Sequence, residues 1–210
     1  MAFEVWLMFT AAAFLNVVSP GPAIILAISN GVSWGYKSVL AAALGNIMGI
    51  FILSSISMLG LGLVLKTSAL LFTILKVLGA CYLVYLGIKK FRSKDTFFVE
   101  AEDEQIASVK INYFAKFKEA FMIAMTNPKA ILFFVAFFPM FLDTSLAAFP
   151  QFMIMTLTFM ALSFISLASF GYLAKSVRHW FKNVSLVKIF HRVTGGIFIG
   201  FGVALLQVKN

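Results

Sequence analysis

Two long apolar runs limit what this chain can fold into. Residues 39–65 and residues 144–174 contain no acidic or basic side chain. Each run exceeds the roughly 20 apolar residues that a helix needs to cross a bilayer core about 30 Å thick. Of the 210 residues, 61% are hydrophobic and 12% charged, which is too little charge to cover a water-soluble globule. We therefore expect an all-α polytopic membrane protein.

The apolar pattern predicts six transmembrane helices. They are expected at residues 5–29, 39–65, 69–88, 121–142, 149–173 and 189–208. A polar stretch separates the third span from the fourth, and it is too short to bury a core of its own. The predicted organisation is a first three-span half at 1–91, a cytoplasmic linker loop at 92–116 and a second three-span half at 117–210.

The basic residues predict how these spans are oriented. Lys and Arg concentrate in the cytoplasmic loops of membrane proteins. The first of the 17 basic residues is Lys37, and most of the others fall on the inner side if the chain starts outside. We expect a multi-pass protein of the bacterial inner membrane with both termini periplasmic. The net charge of +9 is explained by this topology, so nucleic acid is not an expected partner.

The two halves resemble each other. The segments that begin at Lys76 and at Arg192 share basic, valine, glycine, small and aromatic positions at one fixed offset. Proline interrupts the first span of each half, at Pro20 and Pro22 and again at Pro128. Because each half has an odd number of spans, such repeats would be inverted, as in many secondary transporters. Lys76 and Arg192 are either interfacial anchors or part of the transport path.

The proline interruptions mark the candidate substrate site. Carbonyl groups that proline leaves unpaired in hydrocarbon need polar partners or a wet cavity. Lys129 lies about 12 Å into the predicted fourth span at 1.5 Å per residue. Its ammonium either snorkels to the cytoplasmic surface or faces the bundle interior, where it could bind a carboxylate or exchange protons. The candidate substrate-binding residues are Asn16, Ser19, Pro20, Gly21, Pro22, Asn46, Thr126, Asn127, Pro128 and Lys129.

These motifs resemble the LysE/RhtB family of amino-acid exporters. The matching segments are 19–22, 43–45 with Gly49, Lys76 with 79–83 and Gly87, and 127–134. The resemblance covers the whole chain. It implies export of an amino-acid substrate from cytoplasm to periplasm by proton antiport, a possible homodimer in the lipid bilayer, no cofactor, and a translocation site at the proline motifs. Ile50 stands where some members have an acidic or polar residue, which favours neutral substrates of the homoserine, threonine or leucine kind.

Other classes of function fit the sequence less well. A membrane enzyme needs nucleophile–base pairs or metal ligands, and Cys81 is the only cysteine. An exporter of a metal ion or another small solute on the same scaffold should have Asp, His or Cys clusters inside its spans. A non-transport membrane assembly subunit would not need proline breaks at matching places in both halves.

Overall fold

The computed structural model describes residues 1–19, 21–67, 111–143 and 145–174 continuously. It also describes single positions at 77, 81, 84, 85, 88, 92, 176, 189, 192, 193, 195, 196, 199, 200 and 203. The predicted third and sixth spans, most of the predicted linker and Lys76 therefore lie outside the continuously described residues. Arg192 is described, and it is helical and exposed.

The continuously described residues are helical and contain no strand. The helices are α1 (Phe3–Val18), α2 (Pro22–Ser33), α3 (Tyr36–Thr67), α4 (Tyr113–Thr126), α5 (Pro128–Leu132) and α6 (Ala148–Tyr172). A π-helical turn, Phe133–Phe137, and a 3₁₀ turn, Phe138–Phe141, continue α5. The all-α class expected from the sequence is confirmed for this part of the chain.

Two to four candidate membrane spans occur among the described residues. Tyr36–Gly60 and Ala148–Tyr172 are each long and apolar enough to cross a bilayer. Two further pairs of helices meet the same criterion if each bent pair is counted as one span. They are Phe3–Val18 with Pro22–Ser33, and Tyr113–Thr126 with Lys129–Phe141. The pairs bend by 55° and 58°, respectively. We refer to these as the first and the second bent pair.

Proline explains where both pairs bend. Ser19 ends α1 in an extended conformation (φ −61°, ψ 120°), and Asn127 ends α4 in a similar one (φ −71°, ψ 109°). This is the backbone region that a following proline favours, and Pro20 and Pro128 follow them in the sequence. Each pair then resumes with a proline in the first turn of the next helix, where a missing N–H is tolerated.

The fourth predicted span begins earlier than its apolar pattern indicated. The sequence predicted a start at 121, whereas α4 begins at Tyr113, within the stretch assigned to the linker. The side chain of Asn112 caps this helix by accepting a hydrogen bond from the Ala115 N–H at 3.0 Å. Lys116 and Glu119 form an ion pair at 3.3 Å one turn later. Capping and charge pairing thus extend the helix beyond its apolar part.

Glycines allow the helices to approach one another closely. A Cβ at Gly45 would lie 2.0 Å from the carbonyl oxygen of Phe117, and one at Gly49 would lie 2.7 Å from a side chain of α4. A Cβ at Gly31 would lie 2.2 Å from the Gly171 carbonyl oxygen, so α2 approaches α6 in the same way. Small residues at contacts are typical of membrane helices. Gly45 and Gly49 therefore serve packing within the bundle.

The two bent pairs run in opposite directions. Phe9, in the first half of α1, packs edge to face on Phe138 near the end of the second pair, at 5.9 Å between ring centroids. Lys129, near the bend of the second pair, contacts the carbonyl groups of Asn16 and Ser19 at the bend of the first. The two bends therefore meet inside the bundle.

One end of the bundle is basic, and we call it the basic end. The Tyr36 and Tyr172 rings pack edge to face there at 5.6 Å, so that α3 and α6 are antiparallel. Lys116 Nζ lies 5.1 Å from the centre of the Trp34 ring. The exposed side chains of Lys37 and Lys118 belong to the same end.

The opposite end contains the turn between the second bent pair and α6. Asp143 accepts hydrogen bonds from the backbone N–H and the hydroxyl of Ser145, at 2.9 Å and 2.6 Å. These bonds stabilise the carboxylate and lower the pKa of Asp143 below its usual value. Gln151 closes the turn by donating to the Asp143 carbonyl group at 2.9 Å.

The apolar core is divided into two parts of different composition. The part nearer the opposite end is built around buried phenylalanines, which we call the aromatic cluster: Phe9, Phe133, Phe134, Phe138, Phe152 and Phe159. The part nearer the basic end is aliphatic and consists of Ile24, Ala27, Ile28, Val39, Ala43, Leu167 and Ala174. The bends of the two pairs lie between these two parts.

Candidate functional site

A partly open cavity lies where the two bends face α3 and α6. Six of the ten predicted site residues line it: Asn16, Ser19, Gly21, Asn46, Asn127 and Lys129. The remaining lining residues are Val17, Ala23, Ile24, Ile50, Ala124, Ala130, Phe159, Ser163 and Leu167. The cavity therefore combines a polar wall at the bends with an apolar wall around it.

Lys129 directs its ammonium group to the broken end of α1. Its Nζ donates hydrogen bonds to the carbonyl oxygens of Asn16 and Ser19, the second at 2.7 Å. In an uninterrupted helix the N–H of residue 20 would bond to the Asn16 carbonyl group, but Pro20 has no N–H. Lys129 therefore satisfies an acceptor that proline leaves without a helical donor. The sequence left open whether the Lys129 ammonium snorkels to the cytoplasmic surface or faces the bundle interior. The structure shows it facing the interior.

The same contact is favourable electrostatically. The carbonyl groups at the end of a helix carry a partial negative charge, which attracts cations. α1 has no basic residue in its last turn, so the ammonium at this end comes from the second bent pair. Lys129 thus links the two bends, because its ammonium group bonds to Ser19, which lies 110 residues earlier in the sequence.

Asn127 caps the start of α5, the helix from which the Lys129 side chain extends. Its Oδ1 accepts a hydrogen bond from the Lys129 backbone N–H at 3.1 Å, and its carbonyl oxygen accepts one from Ile131 at 3.0 Å. Asparagine is a preferred N-cap because its side chain replaces the missing helical acceptor. Asn127 is 8% exposed, so this cap is part of the buried site. The cap therefore begins the helical turn from which Lys129 extends to the cavity.

Ser19 brings an unpaired hydroxyl group to the cavity. Its side chain is 1% exposed, and its Oγ has no hydrogen-bond partner among the described residues. Leaving a buried hydroxyl unpaired costs about 1–3 kcal/mol. Gly21 lies beside it, where an added Cβ would be 3.7 Å from Lys129 Nζ. The first bend therefore offers a ligand both a hydroxyl group and open backbone.

Asn46 and Ser163 connect α3 to α6 in the cavity wall. Asn46 Nδ2 donates a hydrogen bond to Ser163 Oγ at 2.9 Å, and both side chains are buried. This bond provides the buried Asn46 side chain with a polar partner. Ile50 follows Asn46 by one helical turn and contributes apolar surface to the same wall. This wall is therefore polar at Asn46 and Ser163 and apolar one helical turn further along α3, at Ile50.

The other four predicted site residues are placed differently. Thr126 is exposed, and its hydroxyl donates to the Met122 carbonyl group at 2.8 Å instead of facing the cavity. Pro22 is exposed at the first position of α2. Pro128 is the first residue of α5 and shapes the site through the backbone. Pro20 lies outside the described residues.

Most of the apolar residues that line the cavity were not predicted from the sequence. Phe159 and Leu167 lie four residues before and after Ser163, so all three share one face of α6. Projecting α6 from Ser163 at helical spacing would have found both residues. Ala124 and Ala130 have no chemical signature that distinguishes them from other buried alanines.

A smaller recess adjoins the cavity towards the basic end. It shares Ala23, Asn46 and Leu167 with the cavity, and its other lining residues are Leu26, Ala27, Ala42, Ala43 and Ala120. On the opposite side of the cavity, Phe159 packs on the rings of Phe133 and Phe134 at 4.9 Å in both cases. The cavity therefore adjoins small side chains on one side and the aromatic cluster on the other.

Known proteins resemble the chain over nearly its full length. A family model described as LysE type translocator matches residues 14–208. The leucine efflux protein of Salmonella choleraesuis is 33% identical over 207 residues, which cover 98% of this chain and 95% of that protein. The homoserine/homoserine lactone efflux protein of Salmonella typhimurium is 27% identical over 210 residues, covering 100% of both. An uncharacterized membrane protein of Vibrio cholerae is 30% identical over 209 residues, again covering 100% of both. No solved structure matches the chain.

Proposed function

We propose that this chain, which belongs to the LysE family of translocators, exports neutral amino acids through the cavity between its two bends. The family and the relatives named as efflux proteins make it a transporter and not an enzyme. The resemblance inferred from the proline motifs is thereby confirmed. The observation that carries the proposal is the ammonium group of Lys129, which lies at a cavity where both interrupted helices meet. Secondary transporters bind substrates at such interruptions.

The composition of the cavity supports a neutral amino acid as substrate. Lys129 provides the positive charge for a carboxylate, and among the described residues no acidic side chain lines the cavity. A cationic side chain would be buried there without an acidic partner, which is costly. Ile50 and Phe159 instead provide an apolar surface suited to an aliphatic or short polar side chain. Leucine, homoserine and threonine are the substrates we would test first.

Charge and symmetry support the proposed membrane orientation and repeat organisation. We place the basic end in the cytoplasm of a bacterial inner membrane, because positive residues are retained there. The two bent pairs, antiparallel and bent by similar angles, support a pair of inverted three-span repeats within six spans. A substrate that moves outward must then separate the aromatic cluster. Lys129, as a titratable group at the cavity, is our candidate for coupling export to protons.

Replacing Lys129 tests the proposal. In Lys129→Met the side chain keeps its length and loses its charge, so we expect export to fall by about tenfold or more, as for a lost charged hydrogen bond. Cells that overexpress each variant are loaded with leucine- or homoserine-containing dipeptides, and the amino acid outside is measured over time. Rates are normalised to the amount of transporter in the membrane. Lys118→Met is the matched control, because Lys118 is exposed and does not line the cavity. Wild-type export by Lys129→Met would refute the proposed site.

A further inference from the structure

We propose that the carbonyl groups of Asn16 and Ser19 are the binding site for the substrate's α-ammonium group, which Lys129 occupies when no substrate is bound. The inference rests on the proposed function and specifies how its site recognises an amino acid. Lys129 would then be a tethered occupant that the substrate displaces.

The geometry of the first bend supports a site for a primary ammonium. Two carbonyl oxygens of the α1 end converge on a single nitrogen, Lys129 Nζ. The lysine head is chemically the same group as the α-ammonium of an amino acid, so the bend accommodates that group. The acceptors persist without lysine, because Pro20 cannot donate to the Asn16 carbonyl and the end of α1 remains partly negative. A second cation can therefore take the same place.

The other side of the bend is suited to the carboxylate. α2 has 12 residues and begins without a side-chain cap, so the N–H groups of its first turn lack the capping acceptor that many helices have. Ala23 and Ile24 in this turn line the cavity. The buried, unpaired Oγ of Ser19 lies at the same bend and can donate a hydrogen bond. Helix N-termini favour anions, so the carboxylate and the ammonium would bind on opposite sides of one bend.

Displacement gives Lys129 a second partner. Once the substrate's ammonium binds the Asn16 and Ser19 carbonyl groups, the lysine head leaves them and pairs with the substrate's carboxylate. When the substrate departs, Lys129 returns and satisfies the carbonyl groups again. The empty site therefore never keeps unpaired acceptors, which in hydrocarbon cost several kcal/mol each. The α-ammonium is the group that drives this exchange.

Leucine derivatives test the inference on the purified full-length protein. Leucine, N-acetylleucine, which lacks the ammonium, and leucinamide, which lacks the carboxylate, are titrated calorimetrically against wild type and Lys129→Met. We expect wild type to bind N-acetylleucine about tenfold to a hundredfold more weakly than leucine. We expect Lys129→Met to bind leucine more weakly than wild type but leucinamide more tightly, because no tethered ammonium competes.

Two outcomes would overturn the inference while leaving the proposed function intact. One is equal affinity of wild type for leucine and N-acetylleucine in a protein that exports leucine. The other is an equal loss of leucine and leucinamide binding in Lys129→Met. The proposed function itself fails on a different measurement, the absence of amino-acid export from loaded cells. The comparison of leucine with N-acetylleucine uses only the wild-type protein, so it does not depend on how Lys129→Met folds.

A backbone variant tests the carbonyl group directly. Pro20→Ala supplies an N–H that can bond to the Asn16 carbonyl group, so we expect leucinamide binding to weaken by about tenfold. Pro150→Ala is the control, because Pro150 is exposed in the first turn of α6 and does not line the cavity. Elution as a single folded species verifies both variants. Wild-type leucinamide affinity in folded Pro20→Ala would overturn the role of the Asn16 carbonyl group.

Discussion

Two buried hydroxyl groups differ in what surrounds them. The side chains of Ser19 and Thr156 are 1% and 0% exposed, and neither hydroxyl has a hydrogen-bond partner among the described residues. Ser19 lines the cavity, whereas Thr156 is fully buried and does not line it. A buried polar group without a partner is unfavourable unless a ligand completes it. On our proposal, the Ser19 hydroxyl therefore binds a ligand and the Thr156 hydroxyl does not.

We predict that Ser19→Ala impairs transport and that Thr156→Val does not. Ser19→Ala removes a donor to the substrate's carboxylate and should lower substrate affinity by about tenfold. Thr156→Val keeps the side-chain shape, removes an unpaired hydroxyl, and should leave export unchanged while stability is equal or higher. Export from loaded cells and thermal unfolding in detergent are the measurements. Equal export by Ser19→Ala and wild type would argue against a ligand at this hydroxyl.

At the scale of single residues, the sequence placed Lys129, Asn16 and Ser19 in one candidate site but did not show which atoms of these residues meet. Proline and lysine inside apolar runs are visible without a structure, because their cost in hydrocarbon is known. Whether the ammonium snorkels or turns inward depends on which acceptors lie within reach. The sequence shows that Pro20 leaves the Asn16 carbonyl group without a helical donor. Only the packed structure shows that Lys129 reaches this carbonyl group and that of Ser19.

At the scale of helices, the sequence predicted where the two bends occur but not the π-helical and 3₁₀ turns that follow α5. The π-helical turn Phe133–Phe137 follows α5, and the hydroxyl of Ser57 on α3 donates to the Phe134 carbonyl group within it. A carbonyl group with a donor on another helix is released from the regular α-helical ladder, and π turns of this kind are common at functional sites. The phenylalanine-rich sequence alone resembles an ordinary α-helix.

Two glycine substitutions on α3 should distinguish the contribution of helix packing to stability from the contribution of helix propensity. We predict that Gly45→Ala destabilises the protein by about 1–3 kcal/mol, because the new Cβ would lie 2.0 Å from the Phe117 carbonyl oxygen. Gly60→Ala on the same helix meets nothing within 4 Å and should be neutral or stabilising by up to about 1 kcal/mol. Thermal unfolding in one detergent measures both. Equal stability of the two variants would show that the α3–α4 contact is not tight.

At the scale of the whole molecule, the distribution of charge predicts the orientation in the membrane. Lys37, Lys116 and Lys118 lie at the basic end, and the turn with Asp143 lies at the other. Positive residues remain in the cytoplasm during insertion. The turn at Asp143 should therefore face the periplasm.

Cysteine accessibility tests this orientation. In a Cys81→Ser background, which removes the only native cysteine, Ser145→Cys should react with a membrane-impermeant maleimide in intact cells. Tyr113→Cys should react only after permeabilisation, because Tyr113 lies near the basic end and is 43% exposed. The reverse labelling pattern would mean that the basic end faces outward.

The sequence by itself determined the class of the protein, the places where two helices break and the residue that carries charge into the bundle. These properties follow from free energies of transfer to hydrocarbon and from the missing N–H of proline, which belong to single residues and short segments. Only the tertiary structure decided that the two bends meet, that Ser163 pairs with Asn46 and that Thr126 turns away. Those outcomes depend on how closely glycines let helices approach and on which backbone groups remain unpaired, and both are properties of the packed bundle.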